Sequence, residues 1–136
     1  MKSYRDLDIY KTAYELAIKV HRMTLTLPQY EMYEQGSQVR RSTKSIKDNI
    51  VEGYERRRYK NEFIRFLIFA HASCDEAISQ LTMINEIHFE LKDLADLISE
   101  YEILGRKTFK FIEYVEKTGM NQVPETCNLK PVTCNL

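Results

Sequence analysis

His71, Cys74 and Asp75 stand three and four residues apart, a spacing that brings side chains together on one helical face. A thiol, an imidazole and a carboxylate placed in this way are the parts of an activated nucleophile. Cys74 also falls on an apolar stripe, and a mid-helix position supplies no backbone donors for an oxyanion. No nucleophile is therefore expected of the trio, and Cys74 is expected to be a small core residue. A di-metal carboxylate centre in a helical protein needs Glu-x-x-His pairs on facing helices, and none occurs here. GxSxG, HExxH, Walker and Gly-rich phosphate-loop patterns are likewise missing from the chain. No enzymatic activity, metal or cofactor is expected.

The second candidate chemistry is basic. Arg40, Arg41, Lys44 and Lys47 are followed by Arg56, Arg57, Arg58 and Lys60, and Tyr54 and Tyr59 flank the arginine run. Guanidinium and ammonium groups neutralise phosphates, and tyrosine rings stack on bases or on guanidinium planes. Overall the chain is neutral, with 20 basic and 20 acidic residues, but the charge is unevenly spread. Residues 39–60 carry eight Lys/Arg against three acids, a net of +5, and residues 62–104 carry two against nine, a net of −7. Such polarity attracts an anionic partner, or docks one copy of the protein on another. Runs of this kind also occur simply as solvated helix surface.

The elements that would carry these groups are helices. With 136 residues the chain suits one domain, burying roughly two-thirds of the surface exposed when unfolded. Four glycines and three prolines favour long uninterrupted segments. Leu7, Tyr10, Tyr14, Ala17, His21 and Thr24, with Ala13 and Val20 beside them, recur at three- and four-residue steps, which predicts a first helix capped by Asp6 and stopped by Pro28. His21 is expected to be a satisfied core histidine. Residues 28–36 read as a loop. Ser37 is the expected cap of a second helix with Val39, Thr43, Ile46, Ile50 and Gly53 inward, and Arg40, Arg41, Lys44 and Lys47 turned away from that face.

A third helix, from Asn61 to about His88, carries the stripe Phe63, Leu67, Ala70, Cys74, Ala77, Leu81 and Ile84. Its first turns, FIRFLIFA, are apolar almost all round, which indicates burial on more than one side. Ile64, Ile68 and Phe69 are accordingly expected at a subunit interface. After a break at Glu90–Lys92, Asp93 should cap a fourth helix with Leu94, Leu97, Tyr101, Leu104, Phe111 and Val115 inward, Ile98 and Ile112 broadening the stripe, and Gly119 as its C-terminal cap. The expected fold is all-α: an up-down-up-down antiparallel four-helix bundle over residues 1–119. Residues 120–136 are expected to be a flexible tail in which TCNL occurs twice. Cys127 and Cys134 give two ligands with no nearby histidine, too few for a metal site. Three cysteines, none in a CxxC, suit a reduced compartment. No run approaches the ~20 apolar residues of a membrane span, and the charged start, MKSYRDLDIYK, does not read as a signal peptide. The expectation is cytoplasmic, with no membrane partner.

Several short motifs then recur in a specific order. YRDL from Tyr4, AYEL from Ala13, Leu27-Pro28, SQVRRS from Ser37, NIVEGY from Asn49, EFIRFL from Glu62 and AHASC from Ala70 together resemble the four-helix-bundle family of 23S rRNA intervening-sequence proteins. The resemblance covers roughly residues 4–117 and is strongest from Ser37 to Leu81. It implies a small helical bundle, in some members a homopentameric ring. Relatives include accessory proteins of diversity-generating retroelements, which implies a non-enzymatic role in binding RNA or a nucleic-acid enzyme. Carried onto this chain, that surface is Arg40, Arg41, Lys44 and Lys47 with Arg56 to Arg58. The family pattern often has a hydrophobic or aromatic residue at the place of His21, and it has no counterpart of the TCNL tail. Two readings result: a homo-oligomeric nucleic-acid-binding protein, and an accessory interaction module whose charge asymmetry serves assembly.

Overall fold

Ser3 closes a capping box at the start of the fold. Its Oγ accepts from the Arg5 amide at 3.1 Å, and the Asp6 carboxylate accepts from the Ser3 amide at 3.2 Å, folding Tyr4–Asp6 into one 3-10 turn. This computed structural model describes residues 3–88 and 93–118. After the turn come helices α1 (Asp8–Thr24), α2 (Gln29–Met32), α3 (Gln35–Glu55), α4 (Lys60–His88) and α5 (Ala95–Lys117). The expected TCNL tail, the Gly119 cap and the Glu90–Lys92 break fall outside the described residues.

The four long helices pack α1 on α3, α3 on α4, α4 on α5 and α5 back on α1, closing the expected four-helix bundle. Side-chain pairs fix every neighbour as antiparallel. Thr24 meets Arg40 while the 3-10 turn packs on α3 with its Asp6 charge acting on Tyr54, in the last turn of that helix. Ser42 meets Glu76 while Tyr54 meets Phe63. The Cys74 thiol donates to the Tyr101 carbonyl while Phe63 meets Phe111. Lys107 pairs with Asp8, and Lys19 with Glu100.

The inward residues expected of α3 and α4 are buried, including Val39, Thr43, Ile46, Ile50 and Gly53 on the first and Phe63 through Ile84 on the second. At Gly53 the backbone φ is not positive, so the residue is required for space. An added Cβ would lie 3.1 Å from the Phe66 Cβ and 3.3 Å from both the Phe63 ring and its carbonyl. Tyr54, Phe63, Phe111 and Tyr114 continue from this point as a chain of ring contacts from α3 through α4 to α5.

Helix α1 is rotated relative to expectation. Its buried face is Ile9, Ala13, Leu16, Ala17, Val20, Met23 and Thr24, whereas Tyr14 and His21 are exposed and Tyr10 is half-buried. The aliphatic set offers a second three-and-four pattern about a quarter-turn from the tyrosines. Burying it removes only apolar surface from water, whereas the tyrosine set would also bury phenol and imidazole groups in need of partners. The buried histidine is His88, paired with Glu31. Capping differs too: α1 follows Leu7, α3 begins at Gln35 ahead of Ser37, and residues 28–36 include one helical turn. At α5 the N-cap position falls on Leu94, one residue after the expected Asp93, whose carboxylate accepts the Ala95 amide at 2.9 Å from just outside the helix.

Candidate nucleic-acid interface

The eight basic residues singled out in the sequence do not form one surface. Arg40 turns inward: its Nη1 donates to the Thr24 hydroxyl at 2.7 Å and its Nη2 to the Met32 carbonyl at 3.0 Å. It is a half-buried clamp on the α1–α3 connection, not a member of the outward face on which its spacing placed it. Helical phase alone could not reveal this, because the long side chain reaches around the helix. Lys47 pairs with Asp48 at 2.6 Å. Arg41 and Lys44 are exposed and make no ion pair among the described residues.

The turn between α3 and α4 holds the other four. Arg56 is held by Glu52 at 3.0 Å and Glu62 at 3.4 Å, with its guanidinium 5.0 Å from the centre of the Phe66 ring. Arg57 donates to the Tyr54 carbonyl at 3.0 Å and lies 3.9 Å over that tyrosine's ring. The Lys60 ammonium donates to the Glu116 carbonyl, satisfying the C-terminal end of α5. Arg58 is exposed without an ion pair among the described residues, beside Tyr59, which is 65% exposed. Lys44 lies roughly 16 Å along the α3 axis, at 1.5 Å per residue, from the end of that helix at Glu55, beyond which Arg58 stands in the turn. Asp48, Glu52 and Glu55 lie between them in sequence.

Of the expected interface residues, Ile68 and Phe69 are 49% and 41% exposed on the outward side of α4, and Met83 and Ile87 are exposed further along it. Ile64 instead packs partly against the core. Arg65 lies 5.2 Å from the centres of the Phe66 and Phe69 rings, so the patch has a cationic edge. Between α3 and α4 runs a polar seam, where the Ser42 hydroxyl lies 2.9 Å from Glu76 Oε1 and 2.8 Å from Gln80 Oε1, and Ser45 meets Ser73 at 2.9 Å.

The nucleophile-like trio is split. Cys74 faces the core, where burial and the neighbouring Asp75 push its thiol up to about 12. His71 and Asp75, 3.9 Å apart, line an open groove between α4 and α5 with Phe109 and Arg106. No group of three or more His, Cys, Asp or Glu among the described residues could hold a metal ion. No helix among them is long and apolar enough to cross a membrane.

A family model described as 23S rRNA-intervening sequence protein matches residues 5–110, from the 3-10 turn to the later turns of α5. No curated protein matches the chain.

Proposed function

The chain belongs to the 23S rRNA-intervening sequence protein family, and from that premise we propose that it is a non-enzymatic, cytoplasmic, homo-oligomeric protein that binds RNA. The observation carrying this reading is the α3–α4 turn, where Arg58 and Tyr59 stand exposed at the bundle end and the Arg57 guanidinium lies over the Tyr54 ring. Arg41 and Lys44 form a second, smaller contact on the outer side of α3. Arg40, Arg56 and Lys60 serve the fold, because each is already engaged by the protein.

The test is a titration of structured and single-stranded RNA at several salt concentrations, comparing wild type with Arg58→Glu and with Arg41→Glu/Lys44→Glu. Each phosphate that a variant no longer neutralises should lower the slope of log affinity against log salt by about 0.7 to 0.9. Wild-type protein that binds no RNA, or variants that bind as wild type does, would remove the reading.

The exposed Ile68, Phe69, Met83 and Ile87 favour a companion reading, in which the outward face of α4 is a subunit seam. A ring, with the pentamer implied by the family resemblance, would multiply weak basic contacts into an avid surface. Light scattering should then give a multiple of the 16.2 kDa chain mass, and Ile68→Asp should return the protein to that mass. A monomeric wild type would refute assembly.

A further inference from the structure

Tyr4, Tyr10 and Tyr14 form a continuous ladder on the outside of the bundle. The Tyr4 and Tyr10 rings meet edge to face at 4.9 Å, and the Tyr10 and Tyr14 rings lie 5.9 Å apart at 40°. The capping box at Ser3 folds Tyr4 back against Tyr10, and the four-residue spacing of Tyr10 and Tyr14 puts them on one side of α1. The core does not account for the whole ladder. Tyr4 and Tyr10 pack partly against it, but Tyr14 is 46% exposed.

The ladder lines an open groove of about 450 Å³ together with Arg5, Lys11 and Glu15. The Arg5 guanidinium lies 4.7 Å over the Tyr4 ring, and Glu15 is the single carboxylate of the lining. Antiparallel packing brings this groove to the same end of the bundle as the arginine turn. The 3-10 turn packs on α3, whose last turn carries Tyr54 beneath Arg57. Two arginine-on-tyrosine stacks, from segments some fifty residues apart, thus share one end of the molecule with Arg58 and Tyr59.

Aromatic rings interleaved with cations suit a strand whose bases are unpaired. Bases in a duplex are stacked on each other and offer no free face, whereas single-stranded bases can lie on tyrosine rings while their phosphates follow the cations. We propose that the Tyr4–Tyr10–Tyr14 groove is a stacking platform for single-stranded RNA, continuous with the Arg57–Arg58 turn. This rests on the RNA-binding reading above and names the form of RNA bound.

The experiment uses a fluorescently labelled single-stranded oligo-uridine, an oligo-adenosine of equal length and a duplex of the two, with wild type, Tyr14→Ala, Tyr14→Phe and Arg58→Glu. Nine tyrosines and no tryptophan make intrinsic tyrosine emission a second readout of stacking. Tyr14 is exposed, and circular dichroism checks that each variant keeps its helices. Wild type should bind single strands more tightly than the duplex, with tyrosine emission quenched on binding. Tyr14→Ala should lower single-strand affinity by about five-fold or more, the scale of one base–aromatic stack, and Tyr14→Phe should retain it. Binding that is weakened by Arg58→Glu but not by Tyr14→Ala would overturn the platform and leave the RNA reading standing. Equal losses on duplex and single strand would overturn it as well, since the groove would then be touching backbone. A change of oligomeric mass in Tyr14→Ala without a change in RNA affinity would make the ladder a protein contact. If wild type binds none of the RNAs, both readings fall.

Discussion

His88 Nε2 lies 2.7 Å from Glu31 Oε2, with the two side chains only 8% and 5% exposed. The pair ties the one-turn α2 to the last turn of α4, across the bundle end opposite the arginine turn. Tyr30 adds a ring contact to His88 with centroids 6.5 Å apart. A short helix has little stability of its own, so its position depends on such anchors.

The hydrogen bond from His88 holds the Glu31 carboxyl below its ordinary value, against the opposing effect of burial. A depressed folded-state value contributes stability above the unfolded value of about 4.3, and that contribution is lost as pH falls through the folded value. Glu31→Gln should therefore cost about 1–3 kcal/mol at pH 7. The gap between variant and wild type should close as pH falls below about 4. Urea unfolding across this range measures it, and a constant gap would show that the carboxylate charge is not what matters.

Glycines at two helix crossings should respond oppositely to alanine. At Gly53 a Cβ would press on the Phe66 Cβ and the Phe63 backbone at 3.1–3.3 Å, contacts that only a shift of α4 relieves. At Gly105 the nearest atom is the Cys74 Sγ at 3.6 Å, an ordinary contact. Helix propensity favours alanine by about 1 kcal/mol at both. Gly105→Ala should gain up to that amount, and Gly53→Ala should lose about 1–3 kcal/mol through overpacking. Thermal melts of the two variants would separate packing from propensity, because propensity alone predicts the same sign for both.

The face of α3 was legible in the sequence because it has a single apolar phase, Val39 through Gly53. That of α4 was legible because the stripe Phe63 through Ile84 persists along its whole length, whereas the outward Ile68, Phe69, Met83 and Ile87 are interrupted by polar residues. In α1 two phases compete, one through Tyr10, Tyr14 and His21 and the other through Ile9, Leu16 and Met23. Hydrophobic spacing cannot choose between them, since tyrosine counts as apolar in the pattern yet tolerates water. The basic surface was legible as composition but not as geometry. Arg40 and Lys60 carry the same charge as Arg41 and Arg58, and only the position of a carbonyl or hydroxyl on another helix engages them. The Glu31–His88 pair joins residues 57 apart and left no local signal.

Arg40 should act on stability and not on RNA. Its two guanidinium nitrogens hold the Thr24 hydroxyl and the Met32 carbonyl at once. A lysine offers a single point charge in place of this fork. Arg40→Lys should cost about 1–3 kcal/mol in chemical denaturation, the scale of charge-assisted hydrogen bonds. Its RNA affinity at a temperature where the protein remains folded should match wild type. Weakened RNA binding with unchanged stability would return Arg40 to the outer face.

Cys74 should resist modification until the bundle opens. Thiolate is the reactive form of cysteine, and a thiol pushed up to about 12 holds almost none of it at pH 8. The sulfur is also fully buried and donates to the Tyr101 carbonyl at 3.2 Å. Labelling with a maleimide at pH 8, followed by mapping of the Cys74 peptide by mass spectrometry, should show modification that tracks global unfolding in urea. Cys74→Ala should leave the helical content unchanged and lower stability by about 1–2 kcal/mol, the scale of a small core deletion. Rapid labelling of Cys74 in native buffer would mean that α4 and α5 part far more readily than their packing implies.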